Sequence, residues 1–279
     1  MRVDGRRIKS LDPLFQIIPH IMPRRYDAEV SGEAEINYSK IKKYINQKNK
    51  EGISISFMSV FIAAYIRMVS HMPELNRFIS NRNIYARKGF WVSFAILKKG
   101  NVDESSAETI VKLKFDLNET IFEISEKIKD SIESNRKVDV ENMVDKLAKF
   151  FMGIPLLSRV VIDFVKLCDT LGLLPKGFIE LLPFHSSLFI TNMASLNSGS
   201  VYHHIYDFGT TSAFISIGKP RQKIKANGEK LMTIPLGVVV DERICAGVTF
   251  ARGYSYLKKY LGNPELLEVP PEEIRQDVK

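Results

Sequence analysis

Two cysteines in 279 residues, Cys168 and Cys245, are too few for a disulfide framework or a zinc site. Long apolar runs are missing too. The longest, Phe57 to Val69, is interrupted by Arg67 and falls short of the roughly 18 residues that a membrane span needs, so it reads as a buried helix. No apolar core follows the basic opening Met1-Arg2-Val3-Asp4-Gly5-Arg6-Arg7, which argues against a signal peptide and for reduced thiols in a cytoplasmic protein. Repeats and low-complexity segments are absent. No glycine-rich loop or strand lysine accompanies Asp207-Phe208-Gly209, so a turn at Gly209 accounts for that triplet better than a kinase-type metal motif.

What is present is a large apolar complement. At 45% hydrophobic residues the chain can bury a sizeable core, in one large domain or two small ones. The net charge of +8 suits an anionic partner. Acidic residues are nevertheless spread throughout, and no aromatic–basic module of the nucleic-acid-binding kind is visible. Basic residues concentrate at Arg6-Arg7, Arg24-Arg25 and Lys219 to Lys230, with Arg221, Lys223 and Lys225 alternating as on one strand face. Solvated charge is the plain explanation for each.

Patterning gives an alternating α/β order. A strand is expected from Asp27 to Asn37, then a helix from Tyr38 to Lys48 with Ile41, Tyr44 and Ile45 on one face. Ser54 or Ser56 caps the apolar helix that follows. Strands are expected at Ile84–Arg87, Phe90–Lys98 and Glu108–Phe115, and Asn118 is placed as cap of a helix carrying Ile121, Ile124, Ile128 and Ile132. The tail from Glu268, with Pro270-Pro271 and mixed charge, reads as a loose end.

The most informative stretch is Pro235-Leu236-Gly237-Val238-Val239-Val240-Asp241-Glu242-Arg243-Ile244-Cys245-Ala246-Gly247. It resembles the D-H-R-x-x-D-G signature of chloramphenicol acetyltransferases and of the dihydrolipoyl acyltransferases of 2-oxoacid dehydrogenase complexes. Asp241, Arg243 and Gly247 fit, whereas the base histidine is replaced by Glu242 and the later aspartate by Ala246. Three further stretches are similar in family order: Phe57 to Asn76, Leu188-Phe189-Ile190-Thr191-Asn192-Met193, and Ser212 to Gly218. The helix Val248 to Leu261, closing in Gly262-Asn263-Pro264-Glu265-Leu266-Leu267, follows the same wording. The resemblance implies a two-layer α/β sandwich of the coenzyme A-dependent acyltransferase type, with a mixed sheet and helices on one face. It would occupy residues 1–267, followed by a tail over 268–279. Residues 138–184 exceed the short link of the dihydrolipoyl acyltransferase pattern and read as two or three helices broken at Pro155, Gly172 and Pro175. A helical insertion packed on the body explains them; a lid over the acceptor channel or an amphipathic contact surface are the functional alternatives.

In the resembled enzymes a histidine deprotonates the acceptor, which attacks the thioester of acyl-coenzyme A while a serine or threonine hydroxyl supports the oxyanion. Thr191, beside Asn192, stands at that hydroxyl position. The base is open between Glu242, a poor base unless burial raises its pKa, and His203, His204 or His185. Of two adjacent histidines, one facing solvent and one packed is the ordinary arrangement. Arg243 is expected to pair with Glu242 or Asp241, which weakens Glu242 as base. His185 lies just before Thr191, His20 reads as structural, and Cys245 as a buried apolar cysteine rather than a nucleophile. Coenzyme A is the implied co-substrate, with Lys219, Arg221 and Lys223 as candidates for its phosphates, and no metal or covalently held lipoyl group is implied. The family places its active site between subunits, so a homotrimer is implied, acting on a small-molecule or lipoyl-type acceptor. Two readings follow: an acyltransferase with a non-standard base, or an inactive trimeric scaffold or acyl-coenzyme A-binding pseudoenzyme.

Overall fold

A computed structural model describes residues 2–97, 108–135, 146, 149–150 and 155–279. The chain begins with β1 (Gly5–Arg7), α1 (Pro13–Ile21), β2 (Glu29–Asn37), α2 (Tyr38–Lys50) and α3 (Phe57–His71). Strands β3 (Arg77–Ser80), β4 (Asn83–Arg87), β5 (Phe90–Leu97) and β6 (Glu108–Phe115) come next, then α4 (Ile121–Asn135). The described helices α5 (Pro155–Leu171) and α6 (Lys176–Leu181) precede β7 (Leu188–Asn192), β8 (Ala213–Ile217), β9 (Arg221–Ile224), β10 (Lys230–Asp241) and α7 (Gly247–Gly262).

Seven strands form the main sheet in the order β2-β10-β8-β7-β5-β6, with β9 paired to β10. β5 with β7 and β7 with β8 run parallel, while the other pairs are antiparallel, so the sheet is mixed. A smaller antiparallel sheet joins β1, β4 and β3. Period-two alternation sorts the side chains. Phe90, Val92, Phe94 and Ile96 of β5, Leu188 and Ile190 of β7, and Ala213, Ile215 and Ile217 of β8 enter one core with α3, α4 and α7. Phe189, Phe214 and Val239 face the other way and pack with Ile205 and the half-buried Ile110 and Tyr206.

Ser56 caps α3, its hydroxyl accepting from the Ser59 N–H at 3.1 Å. Arg67, which breaks the apolar run, is 1% exposed. Its guanidinium donates to the carbonyls of Leu117 (3.1 Å), Glu119 (3.0 Å) and Val269 (2.6 Å), holding two loops against the helix. Two expectations need correction. Thr120, not Asn118, begins α4: its hydroxyl accepts from the Glu123 N–H at 3.4 Å while the Glu123 carboxylate takes the Thr120 N–H at 2.7 Å, a reciprocal capping box. The C-terminal tail is tied down rather than loose. Asp277 makes a bidentate pair with Arg77, at 2.7 and 2.5 Å, and Arg6 donates to the carbonyls of Asp277 and Val278.

Most of residues 138–154 lie outside the described set. The rest of the insertion packs onto the second face of the sheet through polar contacts. Lys112 donates to the carbonyls of Ile179 (2.7 Å) and Leu182 (3.0 Å), and the Ser93 hydroxyl donates to the carbonyl of Pro183 (2.7 Å). Arg2 ties α5 down through the Asp169 carboxylate at 2.8 Å. Gly172, at φ 71°, turns the chain between the two helices. Val160, Phe164, Leu167 and Leu171 of α5 remain exposed. Among the described residues no helix is long and apolar enough to cross a membrane.

Candidate functional site

β10 delivers the motif segment to one end of the sheet. Asp241 has no exposed surface, and its carboxylate takes the Arg243 Nε at 2.8 Å, Nη2 at 2.7 Å and backbone N–H at 3.1 Å. Arg243 completes its set on the Met22 carbonyl at 2.9 Å. Of the two pairings open in the sequence, Asp241 is the one formed, because the i,i+2 turn points both side chains inward. Glu242, between them, turns outward and is exposed, its N–H donating to the Ala28 carbonyl at 2.9 Å. Ala246 occupies the N-cap of α7 with no side-chain acceptor for the free N–H groups of the first turn, and Gly247 opens that helix. Cys245 is 3% exposed and burial pushes its thiol up to about 12, which keeps it protonated and unreactive.

Thr191 and Asn192 close β7 at the opposite end of the sheet. Thr191 sits half-buried opposite Ser216, and its hydroxyl has only the weak acceptor Met193 Sδ, at 3.9 Å. Asn192 is exposed. The Asp241 N–H bonds to the Ser212 carbonyl, four residues before Ser216. At ~3.3 Å per residue and ~4.8 Å per strand, Thr191 and the Glu242 segment of one chain are therefore about 16 Å apart. One chain does not bring them together.

His203 is closer by this reckoning. Its ring stacks on Phe214 at 4.0 Å between centroids and 7° between planes. Phe214 pairs with Phe189, one same-face rung from the Thr191–Ser216 pair, or about 7 Å along the strands. The His203 Nδ1 lies 2.7 Å from the His204 carbonyl oxygen. A carbonyl only accepts, so Nδ1 carries the hydrogen and Nε2 is left as the basic nitrogen. His204 is exposed and stacks on His203 at 4.5 Å. Two contacts fix the segment bearing them. The Ile205 N–H donates to Glu29 Oε1 at 2.6 Å, and the Val201 N–H donates to Ser216 Oγ at 2.9 Å. Gly237 allows the second, because a Cβ there would overlap the Val201 carbonyl oxygen. Gly237→Ala should therefore cost about 1–3 kcal/mol in urea unfolding. A midpoint equal to the parent's would show that the segment is not seated on Gly237.

The remaining expected residues scatter. Lys219 is exposed just beyond β8, at the Thr191 end of the sheet. Arg221 pairs with Glu33 at 2.9 Å and Glu35 at 3.1 Å, and Lys223 with Glu35. His185 is buried at the other end of β7, and His20 is exposed on the last turn of α1 rather than packed. Sequence reasoning missed Arg25, read as solvated charge. It is 5% exposed and donates to the Thr211 and Gly209 carbonyls, holding the turn in which Gly209 has φ 90°. A cavity of about 550 Å³ lies between Arg25 and Arg243 on one side and Lys166, Asp169 and Thr170 of α5 on the other. Among the described residues no group of His, Cys, Asp or Glu side chains could hold a metal ion.

No family model matches the sequence, and no curated protein matches it. Solved structures do. The cubic core of the pyruvate dehydrogenase multienzyme complex superposes with a TM-score of 0.60 at 10% identity, over 93% of both chains. A probable dihydrolipoamide acetyltransferase from Listeria monocytogenes gives 0.56 at 14% identity over 98% of both. A chloramphenicol acetyltransferase gives 0.55 at 12% identity, over 92% of this chain and 99% of the other. The strand order and these full-length superpositions identify the fold: this chain is a two-layer α/β sandwich with the chloramphenicol acetyltransferase-like fold.

Proposed function

We propose that the protein transfers an acyl group from acyl-coenzyme A to a small hydroxyl, thiol or amine acceptor, with His203 as base and Thr191 as oxyanion donor. The observation that carries this reading is the 2.7 Å contact of His203 Nδ1 with the His204 carbonyl in a ring stacked on Phe214: with Nδ1 donating there, Nε2 is the basic nitrogen, on the sheet face that carries Thr191. In the reaction, Nε2 takes the acceptor's proton as the acceptor's heteroatom attacks the thioester carbon. The carbonyl oxygen becomes an oxyanion and accepts the Thr191 hydroxyl hydrogen, which the distant Met193 sulfur holds only weakly. Collapse breaks the carbon–sulfur bond, and the imidazolium returns its proton to the departing thiolate. Lys219, Arg221 and Lys223 serve the coenzyme's phosphates, the last two by exchanging Glu33 and Glu35 for phosphate.

Glu242 plays no part within its own chain. A homotrimer is the assembly in which one copy's motif segment meets another's Thr191, and a multisubunit core is what one structural relative builds. The second reading, an inactive scaffold or acyl-coenzyme A binder, is favoured by one observation: Asp241 and Arg243 satisfy each other and leave Glu242 exposed. Thr191→Val discriminates. Loss of one oxyanion donor should lower kcat about 10²–10³-fold with the unfolding midpoint unchanged, and an unaffected rate would remove Thr191 from the mechanism.

A further inference from the structure

A second site stands at the other end of β5 and β7. The Ser187 N–H bonds to the Trp91 carbonyl there at 2.8 Å, and Thr191 lies four residues further on, about 13 Å away. A cavity of about 360 Å³ opens between the β4–β5 junction, β6 and α6. We infer that it binds a small oxyanion, the phosphate or carboxylate group of a low-molecular-weight ligand, through Arg87, Lys112 and His185.

Two buried side-chain nitrogens of residues that line it make no hydrogen bond. Arg87 Nε is buried and makes no hydrogen bond, although the same guanidinium donates Nη1 to the Thr210 hydroxyl at 3.0 Å. That hydroxyl's own hydrogen is then free for His185 Nδ1, at 3.3 Å. His185 is 1% exposed, and burial, with Lys112, Arg2 and Arg87 around it, lowers its pKa well below the usual value, so the ring is neutral. With Nδ1 accepting, the ring proton sits on Nε2, which has no hydrogen-bond partner and lies 3.7 Å from Asp169 Oδ2. Unpaired buried donors are costly, and an oxyanion supplies the acceptors they lack.

Charge points the same way. Lys88, Lys114 and Lys176 join Arg87 and Lys112 around the cavity, against Asp4 and Glu180. Asp4 is already paired with Arg2 at 2.9 Å, and Glu180 lies 3.9 Å from Lys176. Lys112 bonds to the carbonyls of Ile179 and Leu182 and, as the ammonium, has a third N–H to give. Burial, helped by Arg87 and opposed by Asp4 and Glu180, lowers its pKa to about 7. A bound anion favours the ammonium, so binding near pH 7 should take up protons. α6 belongs to the insertion that the dihydrolipoyl acyltransferase pattern does without.

The test is calorimetric titration of the full chain with pyrophosphate and with citrate at constant ionic strength, in two buffers of different ionisation heat. The inference expects a saturable site with proton uptake that depends on Lys112, the tighter ligand naming phosphate or carboxylate as the class. Lys112→Met should weaken it by about tenfold or more, and Lys42→Ser, an exposed lysine of α2 away from the cavity, should leave it unchanged. If Lys112→Met does not fold, the surface double variant Lys114→Ser/Lys176→Ser should still weaken binding by about threefold. No saturable heat at about 5 mM of either anion, or affinity unchanged in the variant that folds, overturns the site.

Discussion

Asp241→Asn should lower the free energy of unfolding by about 3–5 kcal/mol, measured by urea titration. The substitution keeps the size of the side chain and removes the charge facing Arg243, which is 2% exposed and has one other partner, the Met22 carbonyl. A buried guanidinium without its carboxylate is the costly state, so the loss exceeds the net value of the pair. The double variant Asp241→Leu/Arg243→Met should lose less than either charge-removing single variant, because no unpaired charge remains. A cost below about 1 kcal/mol for Asp241→Asn would mean that the pair is solvated and that the turn is held by other contacts.

His203→Phe should lower kcat/KM by about 10²–10⁴-fold, the usual worth of a general base. Phenylalanine keeps the flat ring on Phe214 at the 4.0 Å stack and removes only the nitrogens, so the unfolding midpoint should hold. Glu242→Gln should change turnover by less than about threefold, since the exposed carboxylate is not the base when His203 Nε2 takes the proton. If instead Glu242→Gln abolishes transfer and His203→Phe does not, the base is the carboxylate, presented across a subunit boundary.

The main strands were legible because they advertise themselves locally; their order in the sheet came only from the structure. The run from Pro235 to Asp241 pairs along its whole length with β2, as a central strand must. Four stretches in family order then fixed the fold. What escaped the sequence was long-range polar pairing. Arg67 reads as an interruption in an apolar run, yet its acceptors are on Leu117, Glu119 and Val269. Asp277 looks like part of a charged tail until Arg77 is beside it. Lys112 and Lys114 alternate as an outward face should, but α6 covers the first and leaves the second exposed. At the candidate site, Thr191 and the two histidines were put forward by position alone. The His203 tautomer depends on one carbonyl, and no spacing rule encodes that bond.

The central claim is acyl transfer through His203, and thiol release from acetyl-coenzyme A tests it most directly. Purified chain is titrated with acetyl-coenzyme A by calorimetry, and the same sample is assayed against a panel of hydroxyl, thiol and amine acceptors. The account predicts binding, acceptor-dependent release of the thiol, and loss of that release in His203→Phe with binding retained. Absence of acetyl-coenzyme A binding, or release that survives in His203→Phe, would contradict it.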